Sequence, residues 1–298
     1  MTNVVVLGGT GMLGSMAVKY LSRDPSLRVA ATARNESSSK QSPQDPGIAE
    51  WRVFDAEGAG EAEVLAAIAE AHWVVNAIGV IKPYIHDDNA AEVEGAIRVN
   101  ALFPHLLAKA AGKTGARVIQ IATDCVYSGR KGRYVESDQH DALDVYGKTK
   151  SLGEVASSNV SHLRCSIIGP ERKAHVSLLD WFLGQPQGAT VNGYTNHLWN
   201  GVTTLHFAKL CQGIIHEGRV TPHMQHVVPS DAISKADMLC LFALHGARQD
   251  VVVCPGAASS ALDRTLATEN EDLNRALWES AGYSQPPTVS QMIEELFA

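Results

Sequence analysis

Residues 4–14 read VVVLGGTGMLG, an aliphatic run that leads directly into a glycine-rich turn. A continuous apolar run of this kind is typical of a strand buried on both faces, as in a parallel sheet. After the turn, apolar residues recur at helical spacing from Leu13 to Leu21, and Asp24-Pro25 ends the pattern. The stretch therefore predicts a strand, a tight turn and a helix in immediate succession.

The same alternation of strand and helix patterns continues through the first half of the chain. Strand-like runs cover residues 27–33, 51–54, 72–78, 117–122 and 162–168, and helical patterns cover residues 61–71, 91–112 and 145–157. This order predicts an α/β fold with a Rossmann-type, doubly wound parallel sheet. The loops that follow its strands gather at one edge, where open α/β proteins bind ligands.

After residue 170 the alternation becomes irregular, and residues 184–201 are rich in Gly, Asn, His and Trp. We expect residues 1–168 to form a Rossmann domain, to which the chain returns near residues 200–230. Residues 169–298 are expected to form mainly a smaller α/β lobe that binds substrate. Residues 36–47, rich in Ser, Gln and Pro, are predicted to be a loop that could border a cofactor.

Composition excludes several classes of protein. The chain has 298 residues, 45% hydrophobic and 19% charged, which is enough for one large domain or two modest ones. The net charge is -7 and the 25 Lys and Arg residues are scattered, so nucleic acid is not an expected partner. The start lacks a basic segment and a cleavage site, and no apolar run approaches the ~20 residues that span a bilayer. We expect a cytoplasmic protein without membrane contact.

Cysteine and histidine usage predicts neither a disulfide framework nor a metal site. The five cysteines are far apart and include no Cys-x-x-Cys pair. The 12 histidines include no His-Glu-x-x-His motif, and the nearby pair His223 and His226 runs directly into apolar residues.

Glycines at positions 8, 11 and 14 match a G-x-x-G-x-x-G dinucleotide fingerprint, placed between a strand and a helix as that motif requires. Glycine permits the tight turn and the close approach of backbone to a pyrophosphate, and the start of the helix attracts the anion. The predicted contacts are Gly8, Thr10, Gly11, Met12, Leu13 and Gly14.

The end of the second strand bears on the choice of cofactor. An acid would bind the ribose 2′-hydroxyl of NAD there, but this strand ends in Ala33 and Arg34. Because a guanidinium suits a 2′-phosphate, NADP(H) is the predicted cofactor and NAD(H) the alternative. Asp55, which closes the third strand, is placed to meet the adenine, although a turn aspartate at the surface fits its position as well.

Tyr146 and Lys150 are four residues apart, so they share one face of a predicted helix. Tyr and Lys titrate near ~10 and ~10.4 in isolation, and a fixed cation can tune a phenol that exchanges protons near neutral pH. The spacing alone fits two amphipathic side chains on a solvated face as well. The position of the pair in the chain favours a catalytic role, because it follows both the fingerprint and Thr123. Thr123 lies at the end of the fifth predicted strand, where its hydroxyl could bond a substrate carbonyl.

In this stretch the chain resembles the extended short-chain dehydrogenase/reductases, and more narrowly the dTDP-4-dehydrorhamnose reductase family of sugar-nucleotide reductases. Residues 123–129, TDCVYSG, resemble the family's Thr-Asp-Tyr-Val-Phe-x-Gly, and residues 145–150, VYGKTK, resemble its Val-Tyr-Gly-x-x-Lys. The resemblance runs from residue 8 to about residue 205 and is strongest over residues 117–154.

The resemblance implies a role for each matching residue. Thr123 would orient the keto oxygen, Tyr146 would give it a proton, and Lys150 would lower the tyrosine pKa and bond the nicotinamide ribose. Hydride would come from NADPH. Further cofactor contacts implied by the resemblance are Asn76, Ala77, Ile78 and Asn100.

Asp124 and Cys125 distinguish between related reactions. Sugar-nucleotide 4,6-dehydratases place an Asp-Glu pair after this threonine to carry the elimination, whereas this chain has Asp124-Cys125. A thiol without an obvious activating cation is a poor substitute for that carboxylate, which favours a reductase. Asp124 itself is expected to contact the substrate.

The remaining substrate contacts are expected in the second half of the chain. Asn196 and Trp199 could supply hydrogen bonds and a stacking surface for a base or sugar, although a packed aromatic loop explains them equally well. Arg264 stands in a segment that loosely resembles the family's C-terminal arginine segment, with a surface ion pair as the alternative. Residues 199–204, WNGVTT, replace the family's Gly-x-Pro-Thr and lack its proline.

These observations predict an NADPH-dependent reductase of a nucleotide-activated 4-keto-6-deoxy sugar. Two alternatives stay open: a sugar-nucleotide 4-epimerase with bound NAD, and a non-catalytic NADP-binding regulatory subunit. The expected partner is a nucleotide sugar, and a homodimer is the expected assembly if the protein is oligomeric.

Overall fold

The computed structural model describes residues 1–36, 47–172, 175–219 and 221–298. The predicted loop over residues 36–47 lies almost entirely outside the described residues. The strands are β1 (Thr2–Leu7), β2 (Leu27–Ala33), β3 (Ile48–Val53), β4 (Trp73–Asn76), β5 (Arg117–Ala122), β6 (Val160–Arg164), β7 (Ile167–Ile168), β8 (Thr190–Tyr194), β9 (His197–Trp199), β10 (Val202–Thr203), β11 (Met224–His226), β12 (Ile233–Ser234), β13 (Val252–Gly256) and β14 (Leu262–Asp263).

The described α-helices are α1 (Met12–Leu21), α2 (Glu61–Ala67), α3 (Ala90–Ala96), α4 (Phe103–Thr114), α5 (Val145–Leu152), α6 (Leu178–Leu183), α7 (Thr204–Glu217), α8 (Lys235–His245), α9 (Glu271–Ser280) and α10 (Val289–Phe297). A π-helical segment, Ile97–Leu102, joins α3 to α4.

Seven strands form one parallel sheet in the order β11-β6-β5-β4-β1-β2-β3. The order reverses between β1 and β4, which makes their carboxyl ends the switch point where doubly wound sheets bind ligands. Residues 4–7 of β1 are at most 2% exposed, as expected for a strand covered on both faces. The predicted Rossmann-type α/β fold is confirmed.

Helices cover both faces of the large sheet. On one face α1 packs against α7, and α9 packs on α7 in turn. On the other face α2 packs against α4. The two apolar layers meet the sheet from opposite sides, so the side chains of its central strands have no access to water except at the strand ends.

Short strands of the second half build three small sheets. β13 pairs with β8, β10 pairs with β7, and β9 lies between β12 and β14. β9 is antiparallel to β12 and parallel to β14. This three-stranded sheet brings together segments that are far apart in sequence.

One predicted strand and one predicted helix are each divided into shorter elements in the structure. The run over residues 162–168 is two strands, because β7 leaves the large sheet to pair with β10. The helical pattern over residues 91–112 consists of α3, the π-helical segment and α4, whose first turn contains Pro104. Proline is tolerated in a first turn because no helical partner is needed there. No described helix has both the length and the apolar character needed to cross a membrane.

Candidate active site

The fingerprint glycines make the tight turn that links β1 to α1. Gly8 has φ of +79°, a conformation that side chains rarely adopt. Its amide donates to Thr32 Oγ1 at 2.9 Å, and Gly11 precedes the first residue of α1 as the N-cap. A Cβ added to Gly14 would lie 2.1 Å from the Gly8 carbonyl oxygen, so the helix packs directly on the turn.

The start of α1 suits an anion. Its first turn carries no acidic residue, and no side chain caps its amides. Thr10 lies in the turn and Met12 and Leu13 are the first helical residues, so the predicted phosphate contacts are contiguous. Helix amides without internal partners, together with the helix dipole, attract phosphate.

Arg34 and Asp55 follow β2 and β3 and lie side by side. Arg34 Nε is 3.8 Å from Asp55 Oδ1, and the two side chains are 68% and 50% exposed. Both line an open depression of about 890 Å³ between β3 and α2, together with Phe54 and Arg52. A long, exposed ion pair of this kind contributes little to stability, so the guanidinium can turn to another anion.

The segment after β4 lies against the fingerprint turn. Asn76 donates to Gln120 Oε1 at 2.6 Å and accepts from the Ile78 amide at 3.1 Å. A Cβ added to Gly8 would come within 2.9 Å of Ile78 Cγ1, so Ala77 and Ile78 stand beside the predicted pyrophosphate position.

Asn100 connects this segment to the helix that carries Tyr146. Its side chain accepts from the Val80 amide and donates to the Val80 carbonyl, both at 2.9 Å, and donates to Thr149 Oγ1 on α5 at 3.4 Å. Asn100 is 2% exposed and belongs to the π-helical segment, a distortion that is frequent at functional sites. In this structure Asn100 positions α5 against the loop that follows β4.

Thr123, Tyr146 and Lys150 meet at the carboxyl end of β5. Thr123 follows β5 directly, and its hydroxyl accepts from the Cys125 amide at 3.1 Å. The Thr123 side chain lowers the pKa of Tyr146 against the larger effect of burial, so the two side chains are neighbours. Lys150 Nζ donates to the Ile121 carbonyl of β5 at 3.3 Å. The three residues that the sequence singles out therefore lie together at one strand end.

Burial sets the protonation states of this group. Burial raises the pKa of Tyr146, so its phenol is protonated at neutral pH. The pKa of Lys150 is lowered by burial, and the Glu154 carboxylate acts in the opposite direction. Burial, helped by Asp124, raises the pKa of Cys125 to about 12, so this thiol is not a base near neutral pH.

Glu154 belongs to a buried network that the sequence analysis does not find. Arg164, 1% exposed, donates to both Glu154 carboxylate oxygens at 2.6 Å and to the Tyr127 hydroxyl at 2.7 Å. It also donates to the Nε2 atoms of His226 and His140, each at 2.9 Å. An arginine at the end of β6, a strand of the predicted parallel sheet, is the signal that points to this network.

The predicted substrate contacts occupy the opposite side of the site. Asp124 is 8% exposed, and burial raises its pKa against the opposing effect of Arg264 and Lys235. Arg264 Nε donates to the Tyr127 carbonyl at 2.8 Å. Trp199 is only 5% exposed, with the Lys235 ammonium 5.6 Å from its ring centroid.

Asn196 binds backbone in this structure. Its amide group donates to the Ala258 carbonyl at 2.9 Å and accepts from the Ala258 amide at 2.8 Å. Within the described residues no group of three or more His, Cys, Asp or Glu could hold a metal ion, and all five cysteines are free.

The parallel sheet, its glycine turn and the Tyr-x-x-x-Lys helix define an extended short-chain dehydrogenase/reductase. The family model described as the RmlD substrate binding domain matches residues 1–169, more than half of the 298 residues. The chain belongs to this family, and the resemblance proposed from its sequence is confirmed.

Individual relatives differ in what their names describe. Methionine adenosyltransferase 2 subunit beta of Rattus norvegicus is 23% identical over 80% of this chain and 71% of its own length. The dTDP-4-dehydrorhamnose reductase of Salmonella typhimurium is 42% identical, but over only 24% of each chain. A crystal structure of dTDP-4-dehydrorhamnose reductase from Bacillus anthracis, in complex with NADP, covers 100% of this chain and 99% of its own with a TM-score of 0.75 and 18% identity, which shows a common fold.

Proposed function

We propose that this protein is an NADPH-dependent reductase of a nucleotide-activated 4-keto-6-deoxy sugar. The observation that carries the proposal is the convergence of Thr123, Tyr146 and Lys150 at the end of β5, next to the switch point and its glycine turn. Membership of the RmlD family and the local likeness to dTDP-4-dehydrorhamnose reductases support the substrate class.

The residues around the switch point fit a dinucleotide phosphate. The acid-free start of α1 and the close packing of Gly14 on Gly8 leave backbone amides for a pyrophosphate. The exposed guanidinium of Arg34 suits a 2′-phosphate, which supports NADP(H) over NAD(H). When bound, this cofactor supplies a hydride.

The side chains of the site perform the rest of the chemistry. Thr123 donates a hydrogen bond, without transferring its proton, to the substrate keto oxygen and fixes the position of that oxygen. Tyr146, whose raised pKa keeps it protonated, gives that oxygen a proton as the carbonyl carbon is reduced. The Lys150 ammonium lies on the same helix face and stabilises the phenolate that remains.

Tyr146→Phe tests the proposal directly. Removal of the proton donor should lower kcat by about 10²- to 10⁴-fold and leave NADPH binding intact, because general acid catalysis typically contributes that much. NADPH oxidation is measured against dTDP-, UDP- and GDP-linked 4-keto-6-deoxy sugars. Tyr20→Phe, on α1 and away from this site, is the matched control and should turn over normally. Unchanged turnover in Tyr146→Phe would contradict the proposal.

The relation to methionine adenosyltransferase 2 subunit beta supports a second candidate, a cofactor-binding regulatory subunit. In that case a partner enzyme should co-purify with the chain, and NADPH should not be oxidised with any of these nucleotide sugars. The homodimer and the cytoplasmic location stay predictions of the sequence.

A further inference from the structure

Lys235 enters the active site from the second half of the chain, in a position fixed by two elements. It is the first residue of α8, whose start is held by a capping box between Ser234 and Asp237. The preceding strand, β12, pairs with β9, and Ile233 lies opposite Trp199. This pairing sets the Lys235 ammonium 5.6 Å from the centroid of the Trp199 ring.

The Lys235 ammonium lies within electrostatic range of the residues that follow β5. It acts electrostatically on Asp124 and Cys125, which directly follow Thr123. Arg264, next to β14, acts on the same Asp124 carboxylate. Two cations from the second half of the chain therefore act on one buried carboxylate.

The protein itself supplies Lys235 with few acceptors. Within the described residues its ammonium forms no ion pair of 4.0 Å or less, and its one hydrogen-bond contact is with Met238 Sδ at 4.0 Å. Lys209 offers a contrast, because its ammonium contacts Glu295 and the Tyr283 hydroxyl, both at 2.7 Å. Burial lowers the pKa of Lys235 to about 8, as expected for an ammonium that has lost water without gaining an anion.

We propose that Lys235 is a substrate-binding residue whose ammonium takes an oxyanion of the nucleotide sugar, beside Asp124 and above Trp199. The inference rests on the proposed function in that the ligand is a nucleotide sugar. An oxyanion is favoured over a neutral hydroxyl because the Lys235 ammonium has no carboxylate within 4.0 Å among the described residues and contacts only a thioether sulfur. In a nucleotide-linked 4-keto-6-deoxy sugar this oxyanion belongs to the diphosphate. A carboxylate on the sugar offers the same chemistry to an ammonium and would indicate a different nucleotide sugar as the ligand.

Calorimetric titration with four ligands tests the inference and separates these two sources. The ligands are dTDP, UDP, UDP-glucose and UDP-glucuronic acid, and the proteins are the wild type, Lys235→Met, Lys235→Arg and Lys19→Met. Lys235→Met should weaken binding by about 10- to 100-fold, as expected for a hydrogen bond to a charged group. Lys19→Met removes an exposed lysine of α1 and should bind like the wild type.

The pattern of loss identifies the oxyanion. Equal weakening of all four ligands assigns the diphosphate, whereas weakening of UDP-glucuronic acid alone assigns a sugar carboxylate. Unchanged affinity for all four in Lys235→Met, or weakening confined to UDP-glucose and UDP-glucuronic acid alike, would overturn the inference.

The pH dependence of ligand affinity distinguishes a binding role of Lys235 from a purely structural one, because a structural role would not make affinity follow the protonation of this residue. Wild-type affinity should fall between pH 7 and pH 9 as Lys235 loses its proton, whereas Lys235→Arg should retain its affinity. The titratable groups that act on Lys235 are Asp124 and Cys125, and Arg264 acts in turn on Asp124; all three are present in both proteins. A fall of the same size in Lys235→Arg would assign the titration to them and overturn this part of the inference.

Binding and turnover are measured separately, so the two proposals can fail separately. Nucleotide binding that depends on Lys235, without reduction of any 4-keto sugar, would sustain this inference and refute the reductase activity. Reduction of a 4-keto sugar by the wild type, together with unchanged ligand binding in Lys235→Met, would support the reductase activity and refute this inference. A wild type that binds none of the four ligands and reduces none of the sugars would refute both.

Discussion

Lys150 and Lys235 come to the candidate active site from different halves of the chain, and burial lowers the pKa of both. On the sheet side, Lys150 donates to the Ile121 carbonyl and lies within the field of Glu154, which Arg164 holds with two bonds of 2.6 Å. On the side formed by α8 and the three-stranded sheet, the α8 side, the Lys235 ammonium lies 5.6 Å from the centroid of the Trp199 ring. The sheet side thus carries its counter-charge within the protein, whereas by our proposal the α8 side obtains it from a ligand.

The largest expected effect concerns the network behind Lys150. Arg164→Met leaves the Glu154 carboxylate buried without its guanidinium, and loss of one partner of a buried pair costs about 3–5 kcal/mol. The free energy of unfolding is measured by urea denaturation. Arg98→Met, which breaks an exposed pair with Glu94 on one helix face, is the control and should cost about 0.3–0.5 kcal/mol. Equal losses in the two variants would mean that burial does not distinguish these pairs.

Acid should weaken the same side of the molecule through His162. This side chain is 1% exposed, and burial, reinforced by His223, lowers its pKa to about 3. Since the folded pKa is below the unfolded value, the unfolded chain binds more protons between about pH 3 and 6.5, so stability falls as the pH falls through this window. At pH 5 this one residue accounts for about 2 kcal/mol of lost stability.

His162→Leu removes this titration whatever it does to packing. The difference in unfolding free energy between pH 7 and pH 5 should shrink by about 2 kcal/mol relative to the wild type. His86→Gln is the control, because His86 is exposed and Glu92 raises its pKa, so its removal should not reduce the loss in acid. An undiminished loss in His162→Leu would place the acid sensitivity elsewhere.

Arg34 provides a third kind of cation, one that is exposed and weakly paired. Arg34→Ala should raise the KM for NADPH by about tenfold, because an exposed charged hydrogen bond contributes near the lower end of about 1.5–3 kcal/mol. The KM for NADH should not change, since NAD(H) has no 2′-phosphate. Steady-state kinetics with both cofactors provide the measurement. An equal change for the two would remove Arg34 from cofactor selection.

The sheet side is also the side that could be predicted from sequence. β5 occupies the predicted residues, Arg117–Ala122, and the fingerprint turn lies where its glycines indicate, because both depend on local patterns. Local patterns do not reveal the roles of Arg164 and Lys235, because their contacts include residues from distant segments, such as His226 and Trp199. Trp199 shows the limit of sequence-based prediction on the α8 side. An aromatic residue that stacks on a ligand and one that is 5% exposed in a packed sheet can have the same local sequence.

The pairing of β11 with β6 has a consequence for the synthesis of the chain. His226, on β11, accepts a hydrogen bond from Arg164, on β6. In the sequence, strands β7 to β10 and helices α6 and α7 lie between these two residues. A nascent chain that ends before residue 224 therefore carries Arg164 without this acceptor and leaves β6 as an open edge. Such an edge can pair with other chains, so the ribosome-bound intermediate is expected to need protection until β11 emerges.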